Sequence, residues 1–201
     1  MDCAQCRQKP RNRCNSQGFD CTGGKLDLSG YEGEENRDFQ NVSDLLRKIH
    51  GNSLCRLEEI AMFAKEAGYE KLGLAFCVSL REEAALVAAY LKKSFKVESA
   101  ICKIAGIDKD QYGMIRMKEE GLEVACNPIG QAGIMNRAGT DLNIQLGLCI
   151  GHDILFQKYS DAPVTVLAVK DRVLANNPLG ALYGSFWRKK LGITPDGKSQ
   201  K

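Results

Sequence analysis

Eight of the nine cysteines in this chain fall into two patterns that point to different chemistry. Cys3, Cys6, Cys14 and Cys21 form C-x2-C-x7-C-x6-C at the start of the sequence. Two thiolates two residues apart can turn onto one tetrahedral ion, and two more from a short loop complete a closed structural zinc site. Arg7, Lys9, Arg11 and Arg13 lie among them and would offset the negative charge of four thiolates on zinc. The same basic residues have no interleaved aromatics, which makes them a thin footprint for nucleic acid.

Cys77, Cys102, Cys126 and Cys149 follow a second pattern, spaced 25, 24 and 23 residues apart. Each interval matches one strand plus one crossover, so each cysteine returns at the same phase of an α/β repeat. In a parallel sheet the carboxyl ends of the strands share one edge, where ligands of open α/β sheets bind. Cys77 ends LGLAFC, Cys102 ends VESAIC and Cys149 ends LGLC, while Cys126 stands just before a helix start whose dipole favours a thiolate. These four are the expected cofactor-binding residues. Ligands drawn from several strand ends suit an iron–sulfur cluster better than a closed zinc site.

The neighbours of these cysteines are chemically active types. His152 and Asp153 open the helix after Cys149 and are candidates for proton transfer, and Lys170 and Asp171 end the following strand. Lys103 and Arg172 add positive charge that would stabilise thiolates, an anionic cluster or an anionic substrate. Each reading has a plainer alternative. Cysteine is a small hydrophobe often buried in strands, and His152 could simply cap its helix. Cys55, inside an amphipathic stretch, is read as core.

The elements that must position these residues are legible from residue 42 onward. Ser43 can cap a helix running to about His50, and SLCRLEEIAMFAKEAGY reads as a second helix ended by Gly68. KLGLAFCVSL, KVESAICKIAG, NIQLGLCIG and VTVLAVKD read as strands, with LEVAC as a short additional one. REEAALVAAYLKKSF, PIGQAGIMNRAG and HDILFQKYS read as the helices between them, and GIDKDQYGMIRMKEEG as helical or mixed. Asn-Pro at 127–128 and again at 177–178 supplies a cap and a first helical residue, the second for a closing helix PLGALYGSFWRKKL. Strands alternating with helices imply an α/β fold with a mostly parallel sheet and helices on its faces. The expected organisation is a small four-cysteine zinc knuckle over residues 1–24, a glycine- and acid-rich linker over 25–41 and the α/β domain over 42–201.

The chain has 201 residues, of which 44% are hydrophobic and 26% charged, which is ordinary globular composition. A formal charge of +3 argues for neither nucleic acid nor a membrane surface as partner. MDCAQCRQKPRNRC has no apolar signal core, and no apolar run is long enough to span a bilayer. The expected location is therefore cytoplasmic, where an odd number of cysteines is read as metal ligands or reactive thiols rather than disulfides. Nothing in the sequence sets the oligomeric state.

MDCAQCR, CNPIGQAGIMN, TDLNIQLGLCIGHDILF and APVTVLAVKDRVLANNPLGALY together resemble a prokaryotic family of uncharacterised cysteine-rich metal-binding proteins, a domain of unknown function. The resemblance runs over nearly the whole chain and implies metal binding through cysteines, with no assigned reaction. The family has a histidine before the second Asn-Pro where this chain has Asn176, which argues against an indispensable ligand or base there. The expected function is a metalloprotein with a structural zinc site and an iron–sulfur or thiol pocket for redox or sulfur chemistry on a small or sulfur-bearing substrate. The alternatives are a thiol-only sulfur carrier or reductase, and a zinc-dependent protein- or nucleic-acid-binding module that also uses the basic tail WRKKLGITPDGKSQK.

Overall fold

The computed structural model describes residues 1–193. Backbone packing divides the chain into Met1–Ser43 and a second unit that begins at Asp44. In the first unit a short helix, α1 (Arg13–Gln17), precedes an irregular segment. Asp20 organises that segment, its carboxylate accepting from the N–H groups of Thr22 at 2.7 Å and Gly24 at 2.6 Å. Helix α2 (Glu34–His50) begins well before the expected Ser43 and takes up part of the stretch read as linker. The reason is local: Glu34 and Glu35 suit the positive end of a helix, and Phe39, Val42, Leu46 and His50 recur at helical spacing on its less exposed side.

The second unit alternates helices and strands. Helix α3 (Arg56–Glu66) leads to β1 (Lys71–Phe76), α4 (Arg81–Leu91) to β2 (Lys96–Ile101), α5 (Pro128–Ala138) to β3 (Leu142–Leu146), and α6 (His152–Tyr159) to β4 (Val164–Ala168). Two short helices follow, α7 (Gly180–Tyr183) and α8 (Ser185–Lys190). All strand pairs are parallel and the order is β2-β1-β3-β4. Connections from β1 and β3 therefore leave in opposite directions, and the crevice between their carboxyl ends is where ligands settle in sheets of this kind.

Strand alternation sorts the core into two layers. Leu72, Leu74, Leu142, Ile144 and Leu146 pack with Ile60, Ala64, Ala84, Val87 and Leu91 of α3 and α4. Ala75, Cys77, Ala100 and Cys102 pack with Ala132, Met135 and Phe156 of α5 and α6. Burying one such large aliphatic side chain contributes about 1.5–3 kcal/mol, which is why these short strands hold without caps of their own. Gly73 lets α5 approach: a Cβ there would lie 2.1 Å from both Asn143 Oδ1 and Met135 Sδ. Gly147, with φ +63°, turns the chain out of β3, and a Cβ there would strike Leu80 Cδ1 at 2.2 Å.

Several expected elements are shorter or differ. LEVAC contributes only one antiparallel bridge, Val124 with Asp108, and the stretch before it carries no α-helix, only a 3-10 turn at Lys109–Tyr112. Its loop is tied instead by Glu123, which pairs with Lys109 at 2.5 Å and accepts from the N–H groups of Met117 and Lys118. The closing helix is broken at Gly184, which is extended at φ −81°, ψ 131°. Cys55 is exposed rather than core, because it precedes α3 as its cap and its N–H donates to Glu58 Oε2 at 2.8 Å. The basic tail runs past Ile193, outside the described residues. No described helix is long and apolar enough to cross a membrane.

Candidate functional site

Cys77 and Cys102 immediately follow β1 and β2. Because Phe76 pairs with Ile101, the next residue on each strand is again a neighbour, and the Cys102 N–H donates to the Phe76 carbonyl at 2.9 Å. Both share the phase of Ala75 and Ala100, so both thiols face the α5 layer. Cys126 arrives from the other direction, one residue before the Asn127 cap of α5. The Asn127 N–H donates to the Cys102 carbonyl at 2.7 Å, and Asn127 Oδ1 accepts from the Gly130 N–H at 2.8 Å. Pro128 supplies the preset first residue of the helix.

These contacts gather three thiols with unlike character. The Cys102 thiol hydrogen-bonds Cys126, and this bond, against the opposing effect of burial, drives Cys126 down to about 5. The charges of Lys103 and His152 act in the same direction. Lys103 also donates to the Val124 carbonyl, which fixes its ammonium beside the thiolate. The same hydrogen bond pushes Cys102 far above the ordinary thiol range, reinforced by burial, although the Val78 N–H donates to its sulfur at 3.2 Å. Burial raises Cys77, but hydrogen bonds from Ser79, the charge of Lys170 and the Cys102 thiol outweigh it and leave Cys77 below its ordinary value. Cys77 Sγ and Ser79 Oγ lie 3.4 Å apart, and Lys170 Nζ donates to the same hydroxyl at 2.7 Å.

The other expected site residues are placed less centrally. Cys149 does not end β3: it follows the Gly147 turn, and Arg172 Nη2 donates to its sulfur at 3.0 Å. Its carbonyl accepts from the N–H groups of His152 and Asp153, so the backbone of Cys149 caps the first turn of α6. Asp153 Oδ1 accepts from the Ile154 N–H at 2.8 Å. The Asp171 carboxylate accepts from the N–H groups of Val173 and Leu174 and shapes the loop after β4. Asn176, at φ 61°, completes that loop by accepting the Asp171 N–H through Oδ1 at 3.1 Å.

All nine cysteines are free thiols. In the first unit Cys3, Cys14 and Cys21 are exposed and Cys6 is half-buried. Backbone hydrogen bonds from Asn12 and Gln8 hold Cys6 below the ordinary thiol range, with a further contribution from the charge of Arg11. Among the described residues no group of three or more His, Cys, Asp or Glu side chains is arranged to hold a metal ion.

One residue essential to the geometry was not singled out from the sequence. Gln131, fully buried one turn into α5, donates through Nε2 to the carbonyls of Ala100 at 2.7 Å and Phe76 at 3.2 Å. It anchors the helix that follows Cys126 to the strand ends that precede Cys77 and Cys102. The only available signal was a glutamine four residues after the Asn127 cap in an otherwise small and apolar helix.

Comparison with known proteins locates this site within a shared region. The profile of a family described as "Protein of unknown function (DUF1847)" matches residues 24–167, a span that includes Cys77, Cys102, Cys126 and Cys149 and leaves out the N-terminal cysteines. An uncharacterised protein of Methanocaldococcus jannaschii is 47% identical over 196 residues, which cover 95% of this chain and 98% of that protein. No solved structure matches.

Proposed function

The chain belongs to the DUF1847 family of proteins of unknown function, and we propose that it is a thiol-dependent redox or sulfur-handling protein whose working nucleophile is Cys126. The observation that carries this reading is the thiol pair of Cys102 and Cys126 at the carboxyl edge of a parallel sheet. A nucleophilic thiol needs its negative charge stabilised at neutral pH without losing access to its target. Cys126 meets both needs: it is half-exposed, and the Cys102 thiol, Lys103 and His152 all favour its ionised form. Lys170 and Ser79, beside Cys77, would receive an anionic group on a sulfur-bearing substrate. The full-length chain treated at about pH 6 with oxidised glutathione should lose the free thiol of Cys126 first, since an unperturbed thiol is almost wholly protonated there. Peptide mass spectrometry reads the order of loss, and loss from the exposed Cys3, Cys14, Cys21 and Cys55 ahead of Cys126 overturns the reading.

A metal-bound form of the same site is the second reading. The donor set fits it in type, because Cys77, Cys102 and Cys126 are soft ligands from adjacent strand and helix ends. Such a group would supply electron transfer or a Lewis acid, while Lys103 and Lys170 would offset the charge of the thiolates. Zinc in the first unit accompanies either reading. Its support is the spacing of Cys3, Cys6, Cys14 and Cys21 and the backbone hydrogen bonds to Cys6, since thiolates that accept from amides are stabilised as ligands. Zinc, iron and acid-labile sulfide measured on protein purified without oxygen separate these. Iron with matching sulfide, lost in Cys126→Ser, favours the cluster; zinc alone, lost in Cys6→Ser, favours the thiol site with a zinc knuckle.

A further inference from the structure

We propose that Cys102 and Cys126 act together as a dithiol that reduces small disulfides, with Cys126 attacking first and Cys102 closing the exchange by forming a disulfide with it. The inference rests on Cys126 being the reactive thiol and adds to it a resolving partner and a substrate class.

The two residues stand 24 positions apart in sequence, yet the backbone fixes them as neighbours. The Asn127 N–H binds the Cys102 carbonyl, which draws the residue before α5 against the end of β2. Cys126 packs against the buried cluster that contains Cys102. Access to them is unequal. Cys102 is only 3% exposed, whereas Cys126 is half-exposed, so a molecule arriving from solvent meets Cys126 and reaches Cys102 only through it. This division suits an exchange pair, in which one thiol must be open to the substrate and the other shielded from it. Cys77 also lies in this cluster, but its sulfur is held by Ser79 Oγ at 3.4 Å, and it is 9% exposed, which leaves Cys126 as the thiol open to solvent.

The steps balance without any further reagent. The Cys126 thiolate attacks one sulfur of a substrate disulfide, forming a mixed disulfide and releasing the other half as a thiolate, which takes a proton from water. The buried Cys102, packed beside the now-neutral Cys126, no longer faces a neighbouring negative charge as it gives up its proton. Cys102 then attacks Cys126 Sγ, its proton passes to the departing thiolate, and a Cys102–Cys126 disulfide remains. The protein has given up two electrons and the Cys102 proton, water has supplied the other proton, and the substrate leaves as two thiols. A second thiol compound in excess would restore the dithiol by the reverse exchange.

Oxidised glutathione is the probe for the test, applied to the full-length chain without oxygen, quenched with acid and mapped by peptide mass spectrometry. In the wild type both halves should leave as glutathione and the peptides containing Cys102 and Cys126 should be found joined. In Cys102→Ser one half should stay bound to Cys126. A wild type that keeps glutathione on Cys126 with Cys102 still a free thiol, or that joins Cys126 to another cysteine, overturns the resolving role while leaving Cys126 as the nucleophile. A wild type in which Cys126 does not react at all overturns the functional reading itself. The wild-type peptide map alone decides between these, so the outcome does not depend on the variant folding.

Discussion

Gln131 Nε2 donates to the carbonyl oxygen of Ala100 across 2.7 Å, inside a layer where nearly every other side chain is apolar. The same nitrogen reaches the Phe76 carbonyl, so one buried amide ties α5 to the ends of two strands. Gln131→Leu keeps the bulk and removes both hydrogen bonds, while the Phe76 carbonyl keeps the Cys102 N–H, so the loss amounts to one net hydrogen bond, about 0.5–1.5 kcal/mol. We expect Gln131→Leu to lower stability to urea by that order. It should also slow alkylation of Cys126 at about pH 6, since the strand ends that present Cys102 and Lys103 lose their anchor to the helix. Unchanged urea midpoint and unchanged Cys126 reactivity would show that Gln131 positions nothing.

Gly73 tests the packing of the same layer from the opposite side. An added methyl would collide with Asn143 Oδ1 and Met135 Sδ, both themselves buried and unable to retreat into solvent. Overpacking of this kind costs on the order of 1–3 kcal/mol. Gly73→Ala should therefore shift the urea midpoint down, whereas Gly133→Ala, with open space at its Cβ, should not lower it.

Lys103 should control the reactivity of Cys126 through charge. Its ammonium helps keep Cys126 near 5, so Lys103→Met should raise that value and slow alkylation at about pH 6, while Lys103→Arg should retain most of it. Equal rates in all three proteins would remove Lys103 from the site.

The loop that precedes Cys126 carries its own pH dependence. Glu123 is drawn down from 4.5 to about 2 by its hydrogen bond to Lys109, with the backbone N–H groups of Lys118 and Met117 adding to it. A carboxyl depressed in the folded state contributes stability that is complete above its unfolded value and fades as pH falls through the folded one. The segment from Lys109 to Glu123 should therefore remain protected down to about pH 4.5 and loosen between there and pH 2. Hydrogen exchange measured in that window checks this, and Glu123→Gln should bring the loosened state to neutral pH.

The parallel sheet could be read from the sequence because short strand-like segments, of which β1 is a continuous apolar run after Lys71, alternate with helical ones. The meeting of Cys77 and Cys102 could be read as well, since equal spacing from strand to strand preserves side-chain phase. Cys149 escaped that logic because Gly147 turns the chain out of β3 before the cysteine is reached, leaving it to Arg172. The first half of α2, before Ser43, was hidden because charged and polar residues dominate it, and only Phe39 and Val42 there mark the stripe that continues to Leu46. Asp171, read as a candidate for chemistry, also shapes its loop together with Asn176, a role spacing could not reveal because short polar side chains that bind neighbouring backbone serve turns as well as catalysis. The unequal ionisation of Cys102 and Cys126 depends on a contact between distant residues, and spacing alone carries no sign of it.

The most direct test of the account is the rate at which iodoacetamide alkylates Cys126 as a function of pH, followed on its own peptide in the wild-type protein. The expected profile rises with a midpoint near 5, and the buried Cys102 stays unmodified throughout. A midpoint near the ordinary thiol value of about 8.5 would mean that Cys126 is an unactivated thiol, and would contradict the proposed site.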